Sequence, residues 1–78
     1  MKSVVTEKAV MLIEKENVLT FIAEKKKKKE EIKKEIEELF EIKIEKIRTL
    51  IRGNKKYVYV KLKTEFPAID IATKLGII

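Results

Sequence analysis

Basic and aromatic side chains alternate along one stretch of the chain, and this pattern is suited to binding an anion. Tyr57 and Tyr59 offer flat rings for stacking on sugars or bases, beside cations suited to phosphate. Between residues 46 and 63 there is no acidic residue, and the basic residues alone exceed the formal net charge of +6 on the whole chain: Lys46, Arg48, Arg52, Lys55, Lys56, Lys61 and Lys63. The alternative is a solvated, highly charged sheet face that binds nothing.

A β-hairpin is predicted to position these side chains. Two runs of alternating residues flank Gly53-Asn54, and this dipeptide between such runs is a strong signal for a two-residue turn. Pairing Arg52 with Lys55 sets the remaining register: Ile51 opposite Lys56, Leu50 opposite Tyr57, Thr49 opposite Val58, Arg48 opposite Tyr59, Ile47 opposite Val60, and Lys46 opposite Lys61.

This register gives the hairpin two different faces. The apolar face is predicted to pack on a core and comprises Ile47, Thr49, Ile51, Val58, Val60 and Leu62. The other face carries most of the basic residues and both tyrosines. Because Lys46 lies opposite Lys61 with no carboxylate in either strand, an anionic partner would relieve their repulsion.

Helices and one further strand complete the predicted fold. Thr6 is a predicted N-cap, and Val5, Ala9 and Ile13 at spacings of four form an apolar stripe. A break at residues 15–17 precedes a strand from Val18 to Ala23. An amphipathic helix carries Ile32, Ile36, Leu39 and Phe40, of which Ile32, Ile36 and Phe40 are expected to pack on Leu19, Phe21, Val58 and Val60. A last short helix begins near Pro67, buries Ala68, Ile71, Ala72 and Leu75, and ends at Gly76; Ile77 and Ile78 then form an edge strand or simply pack.

The order of elements is helix, strand, helix, strand, strand, helix, which predicts a single α+β domain over residues 1–78. The crossover must be right-handed, and the second hairpin strand can pair between the other two strands. The expected fold is a ferredoxin-like split βαβ sandwich, with a three-stranded antiparallel sheet and the helices packed on one face.

Composition excludes several kinds of site. The chain has no cysteine and no histidine, so it has no disulfide, thiolate or imidazole metal site, and no cofactor is expected. No apolar run approaches the roughly 20 residues of a membrane span, which predicts a soluble cytoplasmic protein with no membrane partner. Five consecutive lysines at 25–29 are either a nucleic-acid patch or a solvated loop and helix start.

Several short motifs, taken in order, resemble the large-subunit ribosomal protein L23 family over nearly the whole chain. They are Val5-Thr6-Glu7-Lys8-Ala9, the helix opening at residues 29–32, residues 39–44, Thr49-Leu50, and residues 55–62; residues 71–77 look like the archaeal branch. Relatives often cap the long helix with threonine, whereas this chain has Lys28, and the N-terminal extension common in the family is nearly absent.

The resemblance implies a non-enzymatic structural constituent of the large ribosomal subunit that binds large-subunit rRNA near the polypeptide exit tunnel, with neighbouring ribosomal proteins as partners. The predicted RNA contacts are Lys8, Lys29, Lys46, Arg48, Arg52, Lys55, Lys56, Tyr57, Tyr59, Lys61 and Lys63. The resemblance also implies that Glu7 is a docking residue for the signal recognition particle and nascent-chain chaperones. The short turn at residues 52–55 leaves no long loop to enter the tunnel.

Two other functions fit parts of the pattern. An acylphosphatase-like hydrolase would need a glycine-rich phosphate loop with an arginine and a water-positioning asparagine, but the two glycines are far apart and Asn17 and Asn54 lie in predicted turns. A free-standing small RNA-binding or adaptor module would share the basic face. No small-molecule substrate is expected.

Overall fold

The computed structural model describes residues 2–76 of the 78-residue chain. Its elements are β1 (Lys2–Ser3), α1 (Glu7–Glu16), β2 (Val18–Glu24), α2 (Lys29–Phe40), β3 (Ile44–Arg52), β4 (Lys55–Leu62) and α3 (Ala68–Lys74). From α1 onward the order is the predicted one. The predicted strand or packing of Ile77 and Ile78 lies outside the described residues.

Within residues 2–76 the sheet has four antiparallel strands in the order β1-β2-β4-β3, so the prediction of three strands was wrong. The additional strand, β1, pairs only Lys2 with Ile22 and Ser3 with Phe21, and the Val4 N–H donates to the Thr20 carbonyl at 3.0 Å. Two residues are too few to show the alternation by which a strand is recognised in a sequence.

The hairpin register was predicted correctly from Arg52 opposite Lys55 to Lys46 opposite Lys61. Gly53 has φ 60 at the first central position of the turn, where a positive φ favours glycine. At the far end of the hairpin, Ile44 pairs with Leu62 and Glu45 is the extra residue of a β-bulge. The bulge allows Ile44 and Ile47, three residues apart, both to be buried in the core.

One face of the sheet carries the hydrophobic core, and all three helices contribute to it. The buried cluster comprises Ile13, Leu19, Phe21, Ala23, Ile32, Ile36, Ile42, Ile44, Ile47, Val58, Val60, Leu62, Ala68, Ile71 and Ala72. Ile32 and Ile36 are fully buried in the same core cluster as Leu19, Phe21, Val58 and Val60, as predicted. No helix within residues 2–76 is long and apolar enough to cross a membrane.

Six apolar-stripe or core-face residues are less buried than predicted, and one of them is Leu75, which follows the last residue of α3 and is only partly buried. Val5 is 63% exposed because it precedes the Thr6 N-cap, so helical spacing does not apply to it. Leu39 is 66% exposed and Phe40 is only partly buried, since both lie in the last turn of α2. Thr49 and Ile51 are exposed because the buried part of β3 ends at Ile47.

Asn17 joins the end of α1 to the loop between β4 and α3. It ends α1 in the left-handed conformation, with φ 58 and ψ 40. Its side-chain amide donates to the carbonyls of Leu62, Lys63 and Phe66 at 3.1, 3.3 and 3.2 Å, while its Oδ1 accepts from the Ala68 N–H that begins α3. Pro67 is the N-cap residue of α3 and makes no side-chain capping bond. Asn17, from a distant part of the chain, supplies the cap instead.

Candidate nucleic-acid interface

The sheet surface opposite the core is called here the tyrosine face, and it is built from alternating residues of β2, β3 and β4. Tyr57 and Tyr59 alternate with the fully buried Val58 and Val60, so they lie on the opposite face, where they are half-buried. In this face Thr20 and Arg48 flank Tyr59 on either side, while Val18 and Lys46 flank Lys61. The strand register therefore aligns cations, aromatic rings and apolar side chains in short rows.

Helix α1 forms one wall of a groove on this face. The larger lobe has a volume of about 430 Å³ and is lined by Lys8, Leu12, Glu16, Val18, Lys46, Arg48, Leu50, Tyr59 and Lys61. A smaller lobe of about 180 Å³ is lined by Val4, Thr6, Lys8, Ala9, Leu12, Thr20, Arg52, Tyr57 and Tyr59. Lys8, Leu12 and Tyr59 line both lobes, so the two adjoin and are treated below as one α1 groove.

Seven of the eleven predicted RNA-contact residues meet in the α1 groove. They are Lys8, Lys46, Arg48, Arg52, Tyr57, Tyr59 and Lys61. Lys8 reaches this cluster from α1, although it is about forty residues from the hairpin in the sequence, because α1 packs against β2. Whether these residues contact RNA stays a prediction.

The other four predicted contacts lie elsewhere. Lys29 is exposed at the start of α2, Lys63 follows the end of β4, and Lys55 lies at the hairpin turn between Arg52 and Glu24 of the neighbouring strands. Lys56 is on the core side of the hairpin, since it pairs with Ile51, and its Nζ donates to the Lys27 carbonyl. The predicted register already placed Lys56 on that side.

Eight groove residues were not among the predicted contacts: Val4, Thr6, Ala9, Leu12, Glu16, Val18, Thr20 and Leu50. Leu50 has the same strand parity as Arg48 and Arg52, and this parity was the signal that could have placed it on the tyrosine face. Leu12, Val18 and Thr20 belong to elements outside the hairpin, so only the packing of α1 and β2 brings them there. Thr20 is only 7% exposed, and its Oγ1 has no hydrogen-bond partner.

The lysine run is a loop and helix start rather than part of the groove. Lys28 is the N-cap of α2 and makes no side-chain capping bond, whereas Glu30 and Glu31 place negative charge in the first turn. Lys27 Nζ lies 2.9 Å from Glu35 Oε2. The hydrogen bond between them raises the pKa of Lys27 and lowers the pKa of Glu35, although both groups are largely solvated.

Glu7 lies apart from both faces of the sheet. It is the first residue of α1 and is exposed, and Thr6 caps the helix by accepting from the Ala9 N–H at 3.1 Å, as predicted. Its carboxylate is favoured by the positive end of the helix dipole, which explains the residue without any partner. Among residues 2–76 there is also no cluster of three acidic side chains that could hold a metal ion.

A small α+β domain with one closed apolar face and one basic, aromatic face has the features of a nucleic-acid-binding protein. The family model for ribosomal protein L23 matches residues 1–69. A protein named large ribosomal subunit protein uL23, from Pyrobaculum aerophilum, is 49% identical over 77 residues, which are 96% of this chain and 94% of that relative. The chain therefore belongs to the ribosomal protein L23 family, and it is a structural ribosomal protein rather than an enzyme. This membership confirms the resemblance and excludes the acylphosphatase-like alternative.

Proposed function

We propose that this protein is built into the large ribosomal subunit of the cytoplasmic ribosome and binds large-subunit rRNA through the tyrosine face and the α1 groove. The observation that supports this most is the meeting of Lys8, Lys46, Arg48 and Lys61 around the ring of Tyr59 in one groove. These cations come from two separate parts of the chain, so their clustering is a property of the fold.

Electrostatics favours an anionic partner at this place. Lys46 lies directly opposite Lys61, with Arg48 two residues further along the same face, and like charges so placed repel one another. Glu16 is the only acidic residue among the side chains that line the two described lobes. Phosphate groups would neutralise the excess charge, and binding would then weaken steeply with rising salt.

The proposed position is near the exit of the polypeptide tunnel, with Glu7 as part of a docking surface for the signal recognition particle and nascent-chain chaperones. Support comes from the family and from the exposure of Glu7 on α1. Residues 1–16 carry three basic and three acidic side chains, so this part has no net charge to repel a basic partner. The two-residue hairpin turn leaves any tunnel lining to other proteins.

The finer description of the fold as a split βαβ unit is also a proposal. Both β2 and β3 pair antiparallel with β4, so they run parallel to each other, and α2 connects them in the chain. Inserting β4 between two strands of a crossover unit is what the term describes.

The test is to replace Arg48 and Lys61 together by glutamate and to measure binding to an isolated large-subunit rRNA fragment across a salt series. Each lost phosphate contact should lower the slope of log affinity against log salt by about one. The matched variant carries Lys25→Glu and Lys26→Glu, which make the same change in charge on the exposed lysine run.

Loss of binding in the Arg48 and Lys61 variant alone supports the tyrosine face. Loss in the Lys25 and Lys26 variant alone would move the RNA site to the loop. Co-sedimentation of the parent with large subunits through a salt gradient separates a ribosomal constituent from a free-standing RNA-binding module, which would not stay with the subunit.

A further inference from the structure

We propose that the α1 groove takes the bases of a short unpaired RNA segment, rather than only the phosphates of a duplex. This inference rests on the proposed RNA-binding function and adds the class of RNA structure that the groove recognises. Three observations support it: the floor of the groove, its shape, and a buried hydroxyl group without a partner.

The more buried side chains of the groove are apolar or aromatic, and the exposed ones at its rim are mostly basic. In the larger lobe Leu12, Val18 and Tyr59 are half-buried, whereas Lys8, Lys46, Arg48 and Lys61 are exposed, with Glu16 and Leu50 exposed beside them. Leu50 is 44% exposed between Arg48 and Arg52, at a position where a phosphate-binding surface gains nothing from an apolar side chain. Unstacked bases have flat apolar surfaces and bind to such positions, while the adjoining phosphates bind the rim.

The shape of the surface also favours bases over a duplex. Helix α1 contributes Lys8 and Glu16 to one wall and β3 contributes Lys46 and Arg48 to the other, with Tyr59 of β4 between them. A duplex presents its sugars and phosphates on a broad convex surface and would contact the two walls while leaving the floor uncovered. A splayed base can enter between the walls and lie against the tyrosine ring.

The smaller lobe contains a neutral hydrogen-bonding group that phosphate contacts do not explain. Thr20 lies beside Tyr59 in the sheet, and its Oγ1 is buried without a partner, which costs free energy in the unbound protein. A base edge or a ribose 2′-hydroxyl can pair with it. The Oγ1 atom is covered in the unbound protein, so such a bond requires a shift of a covering side chain.

An acidic peptide is the other occupant that a basic, apolar groove could hold. RNA is favoured because the cations of the two lobes outnumber their single acidic side chain, with Lys8 on the α1 wall and Lys46 and Arg48 on the other, which suits a chain with a charge at every phosphate. The tyrosine ring between them suits a base in particular. The peptide is therefore an outcome to be tested.

Two probes distinguish the modes of binding: a short uridine oligomer and an RNA duplex of the same length, compared at the same salt concentration. Phosphate attraction alone favours the duplex, because its charge density is higher. Stacking in the groove should reverse this order, so that the single strand binds several-fold more tightly. The chain has two tyrosines and no tryptophan, and both tyrosines line the groove, so quenching of intrinsic fluorescence reports directly on stacking.

Two pairs of variants locate the contact. Leu50→Gln should weaken binding of the single strand roughly fivefold or more without changing the salt slope, whereas Ile51→Gln should bind like the parent. These neighbours are similarly exposed, at 44% and 51%, but lie on opposite faces of β3. Thr20→Val should lower affinity roughly two- to tenfold, and Thr49→Val on the other face should not. Thermal melts of all four variants serve as the control for folding.

The possible outcomes separate this proposal from the proposed function. Equal binding of both probes, with Leu50→Gln and Ile51→Gln alike, overturns the base-binding groove, even if reversing Arg48 and Lys61 still abolishes rRNA binding. Retention of rRNA binding after that reversal overturns both. An acidic peptide that quenches tyrosine fluorescence more strongly than the uridine oligomer also overturns the RNA assignment. Preference for the single strand, lost only on changing Leu50 or Thr20, supports it.

Discussion

Strand β4 has two faces made from neighbouring residues, and the protein closes only one of them. Val58, Val60 and Leu62 are completely or almost completely buried under the helices, whereas Tyr57 and Tyr59 are half-buried and Lys61 is exposed. Both faces use the same backbone and the same ladder of hydrogen bonds. The difference between them therefore comes from what packs on each side and not from the strand itself.

With RNA bound at the open face as proposed, this difference separates stability from binding. The closed face contributes hydrophobic free energy, and in so small a domain few residues can supply it. The open face keeps like charges close together, an arrangement that costs some stability and that the proposed anionic partner would relieve. Mutations on the closed face should therefore change folding, while mutations on the open face should change RNA affinity with little effect on folding.

Ile36→Ala should have the largest effect and would test the closed face. Ile36 is fully buried within the core, and truncating such a residue costs about 2–5 kcal/mol, which is close to the total stability of a small domain. Urea denaturation measures the change in the free energy of unfolding. Leu39→Ala, three residues further along α2 but 66% exposed, is the control and should change stability little. Equal losses in both variants would mean that α2 packs through another surface.

Asn17→Ala should have the next largest effect on stability. Asn17 lies on neither face of β4, but it joins the end of α1 to the loop between β4 and α3. The variant loses the amide bonds to three carbonyls and the cap of α3, and alanine is less suited than asparagine to φ 58. A loss of about 2–4 kcal/mol is expected in the same denaturation experiment. Asn17→Gly also removes the side chain, but glycine adopts a positive φ easily. The loss in the glycine variant therefore measures the hydrogen bonds, and any further loss in the alanine variant measures the backbone strain.

Glu7→Ala probes a surface that belongs to neither face. Removing the carboxylate from the first turn of α1 should cost about 0.3–1 kcal/mol, since the helix dipole favours a negative charge there. Assembly into large subunits should be unchanged, while binding of the signal recognition particle and nascent-chain factors to those subunits should weaken, more at low salt than at high. If the mutant subunits recruit these factors as tightly as the parent subunits do, Glu7 acts only as a charge at the end of the helix.

Lys46→Gln changes the open face alone, so it tests whether RNA affinity can change without a change in stability. Stability should stay within about 0.5 kcal/mol of the parent, or rise slightly, because the repulsion with Lys61 is removed. The salt slope of RNA binding should fall by about one. Lys33→Gln on the exposed surface of α2 removes the same charge and should leave the salt slope unchanged. A large loss of stability in Lys46→Gln would contradict the separation of folding from binding.

Glu35→Gln should have the smallest effect. The ion pair with Lys27 lowers the pKa of Glu35 in the folded protein, so its contribution is present above the usual carboxyl pKa and is lost as pH falls through the lowered value. Both groups are solvated, and the effect is screened. Thermal melts at neutral pH and low salt should differ little between parent and variant, and the two should coincide in acid. A difference that persists in acid would require another role for Glu35.

The sequence by itself determined those features that depend on neighbours in the chain. The turn at Gly53 set the hairpin register, because a two-residue loop and a period of two leave one pairing that buries the apolar side chains. Thr6 identified the start of α1, and the spacing of Ile32 and Ile36 identified the buried stripe of α2. Family membership could likewise be inferred from short motifs whose order is a property of the chain alone.

The tertiary structure decided whatever depends on residues that are distant in sequence. Lys8 and Leu12 join the hairpin only because α1 packs beside β2, and Asn17 caps α3 only because the fold brings residues 17 and 68 together. The bulge at Glu45 and the exposure of Leu39 depend on how much of each element its neighbours cover. Local propensity and periodicity act over a few residues, whereas burial is set by contacts between elements. For that reason the basic strand could be predicted from the sequence but the groove beside it could not.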